Sequence, residues 1–313
     1  MKKISIILIG MLCILQWGCQ KDPWEDIEEG EWNNERSILS ITFQNQVGQA
    51  QIDRIDEQTG EVYVSINSDA VPDLSTVQIQ ELVLSYQAQS DIAQGESLNF
   101  ENETNSSSIT ITSPTGRIRE YNIIANPFSE DILGTYSIDQ QVLYGGTGPE
   151  FGGGAVLNLS DKPWIWPANE GAEKELDNTL VFELVGITDD GNTYGTVTNN
   201  AGEDGTYANF LFVGDPETDV NGFYRKIPQG QGEWLRDYNT GTITFTFEDG
   251  STTTGMFIGP GTEDLGNGLS NTVENRAFVF ELNGVDDYDN IYSDYDKFVR
   301  NPRKYWIEIT KQD

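Results

Sequence analysis

The residues best suited to chemistry in this chain are aromatic. DKPWIWPANEG (Asp161 to Gly171) sets Trp164 and Trp166 two residues apart. In an extended chain both indoles share one face, about 6.6 Å apart, with Ile165 opposite. Pro163 and Pro167 bracket the pair and lack N–H donors, which predicts a surface loop or an edge strand. Indoles at that spacing match the rise of successive sugar rings. Their flat faces stack on sugar C–H faces, and water leaves both surfaces. The competing expectation is that one or both tryptophans plug the bottom of a β-barrel.

A second cluster lies in NGFYRKIPQGQGEWLRDYNTG (Asn221 to Gly241). It holds Tyr224, Arg225, Lys226, Trp234, Arg236 and Tyr238. Cations are scarce here, with 18 Lys and Arg against 51 Asp and Glu. Local positive charge among aromatics suits the hydroxyls, carboxylates or sulfates of a polysaccharide, with arginine as a bidentate fork. Alternatively these cations neutralise neighbouring Asp and Glu on a solvated hairpin. A third cluster, VDDYDNIYSDYDKF (Val285 to Phe298), crowds Asp286, Asp287, Asp289, Asp294 and Asp296 with Tyr288, Tyr292 and Tyr295. Oxygen ligands of this kind hold calcium, and Asp286, Asp287 and Asp289 are the candidate ligands. The spacing is not that of an EF-hand. A solvated acidic loop paired with Arg276, Arg300, Arg303 and Lys304 is the other expectation.

Histidine is absent from the sequence. That removes Ser-His-Asp and Cys-His nucleophiles, histidine-ligated zinc and any histidine base. Carboxylate-pair glycoside hydrolysis and lyase chemistry on Tyr, Lys or Arg stay open. Carboxylates are too plentiful to select a pair, so no catalytic residue is assigned. The net charge of −33 repels nucleic acid and anionic membrane surfaces. No nucleic-acid partner is expected.

Elements that could position these clusters are almost all strands. SILSITF, EVYVSIN and QIQELVLSY alternate apolar and polar residues, with Ile38 or Leu39, Ile41, Phe43, Val62, Val64, Ile66, Ile79, Leu82 and Leu84 as candidate core positions. SITIT, SPTG and RIREYNIIA read as a hairpin. Beyond Ile132, candidate strands include GTYSIDQQVLY, GAVLNL, NTLVFELVG, YGTVT, TYANFLFV, TITFTF, TTGMFI, AFVFELN and YWIEITK. Asp190-Gly191, Asp204-Gly205 and Asp249-Gly250 sit between strands, where tight turns want positive φ. The expected fold is all-β: a sandwich over 37–126, then a β-rich domain over 132–313 built as a jelly roll or a lipocalin-like β-barrel.

At the start of the chain, Lys2 and Lys3 precede an apolar run from Ile4 to Leu15, short of the ~20 residues of a membrane span. Cys19 follows directly after Gly18. The segment 1–18 resembles a bacterial lipoprotein signal peptide, which implies lipidation of Cys19. Cys13 is lost with that signal, so Cys19 has no disulfide partner, and lipidation protects an otherwise free thiol. QKDPWED then resembles the acidic export tag of Bacteroidetes surface lipoproteins, within an acidic tether over 19–36. SITF, VYVSI, PDLS and TGRIREYNI, in that order, resemble the immunoglobulin-like spacer modules of the same proteins. Together these features resemble the accessory glycan-binding lipoproteins of Bacteroidetes polysaccharide-utilisation loci. The resemblance implies a protein lipid-anchored in the outer membrane and facing outward. It implies polysaccharide as ligand, and a TonB-dependent transporter with its lipoprotein partner as neighbours. No cofactor is expected other than calcium at the acidic loop. A polysaccharide-degrading enzyme of the same locus, or a structural lipoprotein without ligand, are the rival expectations.

Overall fold

Two-residue alternation builds the first unit of the chain. In the computed structural model, which describes residues 32–312 apart from 69 and 72, the chain divides into two compact units. The boundary falls between Pro127 and Phe128, and Val47–Gln49 group with the second unit. The expected signal peptide 1–18, the lipidated Cys19 and the tether as far as residue 31 lie outside the described residues.

The first unit contains β1 (Ile38–Phe43), β2 (Gln46–Arg54), β3 (Thr59–Asn67), β4 (Val77–Leu84), β5 (Gln89–Ser90), β6 (Ser97–Leu98), β7 (Ser106–Thr112) and β8 (Ile118–Phe128). They form a sheet ordered β1-β4-β6 and a second ordered β2-β3-β8-β7-β5. Every second residue points inward, as the pleat requires. Val62, Val64 and Ile66 of β3 meet Ile41, Phe43 and Ile79 of the opposite sheet in one core. Leu39 points out, and Leu82 and Leu84 are half-buried. Burying each aliphatic side chain contributes roughly 1.5–3 kcal/mol. Phe43 and Phe100 meet edge to face, 5.7 Å between ring centres. This is the two-sheet sandwich that the alternation predicts.

The second unit comprises β9 (Gly134–Gly145), β10 (Ala155–Asn158), β11 (Thr179–Ile187), β12 (Thr193–Asn200), β13 (Leu211–Phe212), β14 (Thr218–Asp219) and β15 (Gly230–Asp237). It continues with β16 (Thr242–Thr246), β17 (Thr252–Ile258), β18 (Gly261–Gly266), β19 (Leu269–Val273), β20 (Arg276–Glu281) and β21 (Pro302–Lys311). In the described residues the sheet runs β9-β11-β12-β15-β16-β17-β20-β21 and closes by β21 pairing back on β9, with Trp306 opposite Val142. All pairs are antiparallel and consecutive along the chain apart from inserted loops. This is an up-and-down barrel of eight strands. Of the two architectures held open, the jelly roll is set aside by the order of pairing. β10 extends the wall where β11 has left β9.

The lumen is filled. Eight strands leave an interior about wide enough for side chains, and here the side chains are aromatic. Phe278 lies 5.5 Å from Phe182, 5.3 Å from Phe245 and 5.1 Å from Phe257, ring centre to ring centre. Tyr136, Trp234 and Tyr305 join the same core.

Three expectations change. TYANFLFV is strand only at Leu211–Phe212; the rest is loop, with Ala208, Phe210 and Phe212 folded into the core. GQGEWLRD, read as part of a cationic cluster and not as a strand, is the barrel strand β15. The β18–β19 hairpin was not foreseen. Val273 of β19 packs with Val142, Val279 and Trp306 in a second small cluster, with Leu265 of β18 against it. The Asp-Gly turns hold as read: Gly250, between β16 and β17, has φ of 82°.

Candidate functional site

Antiparallel strands send alternate loops to opposite ends of the barrel. One end receives the loops 146–154, 159–178, 201–229 and 282–301, and these fold over it as a cap. Trp166 is at the centre of the cap. Its ring meets Phe210 at 5.7 Å and Tyr224 and Phe298 at 6.0 Å, all edge to face. Its Nε1 donates to the Leu159 carbonyl at 3.3 Å.

The paired-indole platform is therefore overturned. Pro163–Ile165 form a turn of 3₁₀ helix, not an extended strand. Residues two apart then point to different sides. Trp166 is 2% exposed, and Trp164 is 65% exposed. The flanking prolines were read correctly as excluding a central strand. The extended geometry between them was not.

The Asn221 to Gly241 cluster is dispersed. Tyr224 is core; its hydroxyl donates to the Phe298 carbonyl at 2.7 Å, and burial holds its pKa well above the phenol range. Arg225 pairs with Glu175 and donates to the Ala208 carbonyl. Its guanidinium lies over Phe210 at 5.1 Å. Glu175, itself buried, also accepts from Ala208 N at 2.9 Å and Asn178 Nδ2 at 2.8 Å. Lys226 donates to the Gly222 carbonyl at 2.9 Å, and burial lowers its pKa. Trp234 points into the barrel and donates Nε1 to the Thr196 carbonyl at 3.0 Å.

Arg236 is at the opposite end of the barrel. It pairs with Glu130, at 2.6 Å, and with Asp131, which also takes Arg276 at 2.8 Å. Thr193 Oγ1 donates to Glu130 at 2.6 Å, and the Tyr238 hydroxyl donates to the same carboxylate. Burial of Asp131 works against ionisation, but the two arginines outweigh it and hold the carboxyl below its usual range. Burial, reinforced by Glu130, raises the Tyr238 pKa. A tyrosine base for elimination needs the reverse shift. Arg236 and Tyr238 thus clamp the entry segment Phe128–Asp131 to the wall. They offer no open Tyr/Arg pair to a substrate.

The acidic loop is held by its own neighbours. Asp286 accepts from Asn301 at 2.7 Å and Arg303 at 2.9 Å. Asp287 accepts from Asn290 at 2.8 Å and pairs with Arg300 at 3.3 Å. The Asn290 hydrogen bond keeps its carboxyl below the usual range against the opposing effect of burial, with Arg300 adding to the lowering. Asp289 is exposed. Among the described residues, no three acidic, histidine or cysteine side chains converge as a metal site. The candidate calcium ligands Asp286, Asp287 and Asp289 are thus not brought together, because the first two are turned toward arginines. Buried Asp296 takes the Thr147 N–H and Oγ1, both at 2.7 Å, and so ties this loop to the glycine-rich run YGGTGPEFGGGA.

What the cap does bring together is a set of exposed rings. Trp164, Phe151, Tyr288 and Tyr292 all stand in solvent, from three different loops. Gly148, at φ 58°, is crowded by Phe151, Ile291 and Tyr288, which lie 3.0, 3.3 and 3.7 Å from where its Cβ would be. The Tyr292 hydroxyl donates to the Phe151 carbonyl at 3.2 Å. Tyr292 has φ of 77°, a conformation costly for a ring-bearing residue. Lys297 donates to its carbonyl at 2.7 Å and holds it there. Lys162 bonds Asp294 at 2.9 Å and lies over the Trp164 ring at 5.2 Å, which links that ring to the acidic loop. Two of the three sequence clusters thus meet on one surface. Phe151 was missed, although the glycine run around it was visible in the sequence.

A shallow cleft of about 680 Å³ on the barrel wall adds a polar surface lined by Thr196, Gln229, Gln231, Glu233, Thr246 and Glu248, among others. Fold and surface define a two-unit, all-β protein with a filled barrel and an aromatic-capped end. No protein-family model matches the chain, and no curated protein does.

Proposed function

We propose that this chain is a lipid-anchored protein of the outer membrane that binds polysaccharide at the cell surface for a glycan-utilisation system. The observation carrying this reading is the exposed ring cluster Phe151, Trp164, Tyr288 and Tyr292 on the barrel cap. Large aromatics held in water mark interaction surfaces. Planar rings suit sugars in particular, because ring hydrogens on one sugar face form a flat apolar patch bordered by hydroxyls. The loops bearing the rings are already cross-linked through Asp296 and Lys162, and Lys297 braces the loop of Tyr292 internally, so little ordering entropy is lost on binding. The first unit serves as a spacer, and Cys19 carries the lipid. Among the described residues no helix is long and apolar enough to cross a membrane.

The anchor is tested in cells. Cys19→Ala is expected to move the protein, with its polysaccharide-binding activity, from the outer-membrane fraction to the soluble fraction. Two further acyl chains beyond one weak anchor normally make retention stable. A Cys19→Ala protein that still fractionates with outer membranes contradicts the anchor.

A further inference from the structure

Charge at the cap restricts which glycan it can take. Each cation near the exposed rings already has an internal acceptor. Lys162 is bound to Asp294, Arg300 to Asp287 and Arg303 to Asp286. Lys297 donates to the carbonyls of Tyr292 and Ser293. The cations deeper in the cap, Arg225 and Lys226, are likewise engaged with Glu175 and the Gly222 carbonyl. Among the described residues, the carboxylates of Glu150, Asp161 and Asp289 are exposed and have no partner on the protein. The polar cleft on the wall adds Glu233 and Glu248 and no cation.

From this arrangement we infer that the ligand is a neutral, hydroxyl-rich polysaccharide chain, and that polyuronates and sulfated glycans are excluded. This rests on the glycan-binding reading and narrows it. A sulfate or uronate approaching the rings would meet unpaired carboxylates. To recruit Lys162 or Arg303 it would have to break an ion pair whose abandoned aspartate then repels it. Sugar hydroxyls, by contrast, donate to free carboxylates, and such charge-assisted bonds are among the stronger ones. Rings on three separate loops also offer more than one stacking position, which favours an internal stretch of chain over a terminal sugar.

The test uses the full chain in affinity electrophoresis and calorimetry. Laminarin, xylan and galactomannan serve as neutral probes, and alginate, polygalacturonate and carrageenan as anionic ones. At least one neutral polymer should bind, with affinity nearly unchanged between about 50 mM and about 500 mM salt. The anionic polymers should bind at least roughly tenfold more weakly at low salt. The triple variant Glu150→Gln, Asp161→Asn, Asp289→Asn should narrow that gap at low salt. An anionic polymer that binds more tightly than every neutral one, and loosens as salt rises, overturns the charge inference and leaves glycan binding intact. Binding of neither class overturns both.

Discussion

Trp166→Ala is expected to destabilise the barrel unit by roughly 3–5 kcal/mol. Trp164→Ala, two residues away, should stay within about 0.5 kcal/mol of the parent. The contrast follows from packing. Trp166 fills the middle of the cap against Phe210, Tyr224 and Phe298, and its indole N–H bonds the Leu159 carbonyl. Truncation leaves a cavity ringed by aromatics that cannot collapse around alanine, and takes one of two donors from the Leu159 carbonyl, the other being the Lys162 N–H. Trp164 is mostly in solvent, with Lys162 across its face. For a unit of this size the loss translates into a fall in melting temperature of roughly 6–20 °C. Thermal unfolding followed by near-ultraviolet circular dichroism reads it directly. Equal shifts in the two variants would contradict the packing of the cap.

Glu130→Ala should be comparably damaging, at about 3–5 kcal/mol, for an electrostatic reason. The Glu130 side chain is fully buried and receives Arg236, Thr193 and Tyr238 together. Removing it leaves the Arg236 guanidinium with Asp131 alone and the Thr193 and Tyr238 hydroxyls with only each other at the barrel entry. Glu130→Gln keeps an acceptor oxygen and should cost less. The same logic sets the limit of a viable fragment. A barrel expressed from Ile132 loses both Glu130 and Asp131 and should melt lower than one starting at Phe128. Denaturant titration of the variants and of both fragments measures this. Parent-like stability in Glu130→Ala would mean that the network is not engaged in solution.

Much of the fold could be read from the chain because short antiparallel strands declare themselves. Val62, Val64 and Ile66 alternate with polar residues, and only one face of a sandwich can bury them. The barrel strand at 242–246 carries the same signal, whereas β21 buries every residue from Tyr305 to Ile309. β15 concealed itself. Its glycines, glutamine and arginine look like loop residues, yet Gly232 is required because a Cβ there would meet the Pro228 side chain at 2.4 Å. The cation cluster misled for a related reason. Partners decide what an arginine does, and these partners are remote in sequence: Glu175 is 50 residues from Arg225, and Glu130 is 106 from Arg236. No local pattern announces such pairings. The tryptophan pair failed on backbone geometry, since one 3₁₀ turn sends Trp166 inward and leaves Trp164 outside. The acidic loop was legible as a feature. Its role as the bed for Tyr288 and Tyr292 emerged only once Thr147 and Lys162 were seen to hold it.

The most direct test is calorimetric titration of a neutral polysaccharide into the full chain and its ring variants. Trp164→Ala, Phe151→Ala, Tyr288→Ala and Tyr292→Ala should each keep the melting temperature close to that of the parent. Loss of one stacking ring costs on the order of 1–3 kcal/mol, by analogy with bases on aromatic side chains. That is about ten- to a hundredfold in Kd, and the combined variant should show no measurable binding. Parent-like affinity in a folded protein lacking all four rings would contradict the placement of the glycan site on the barrel cap.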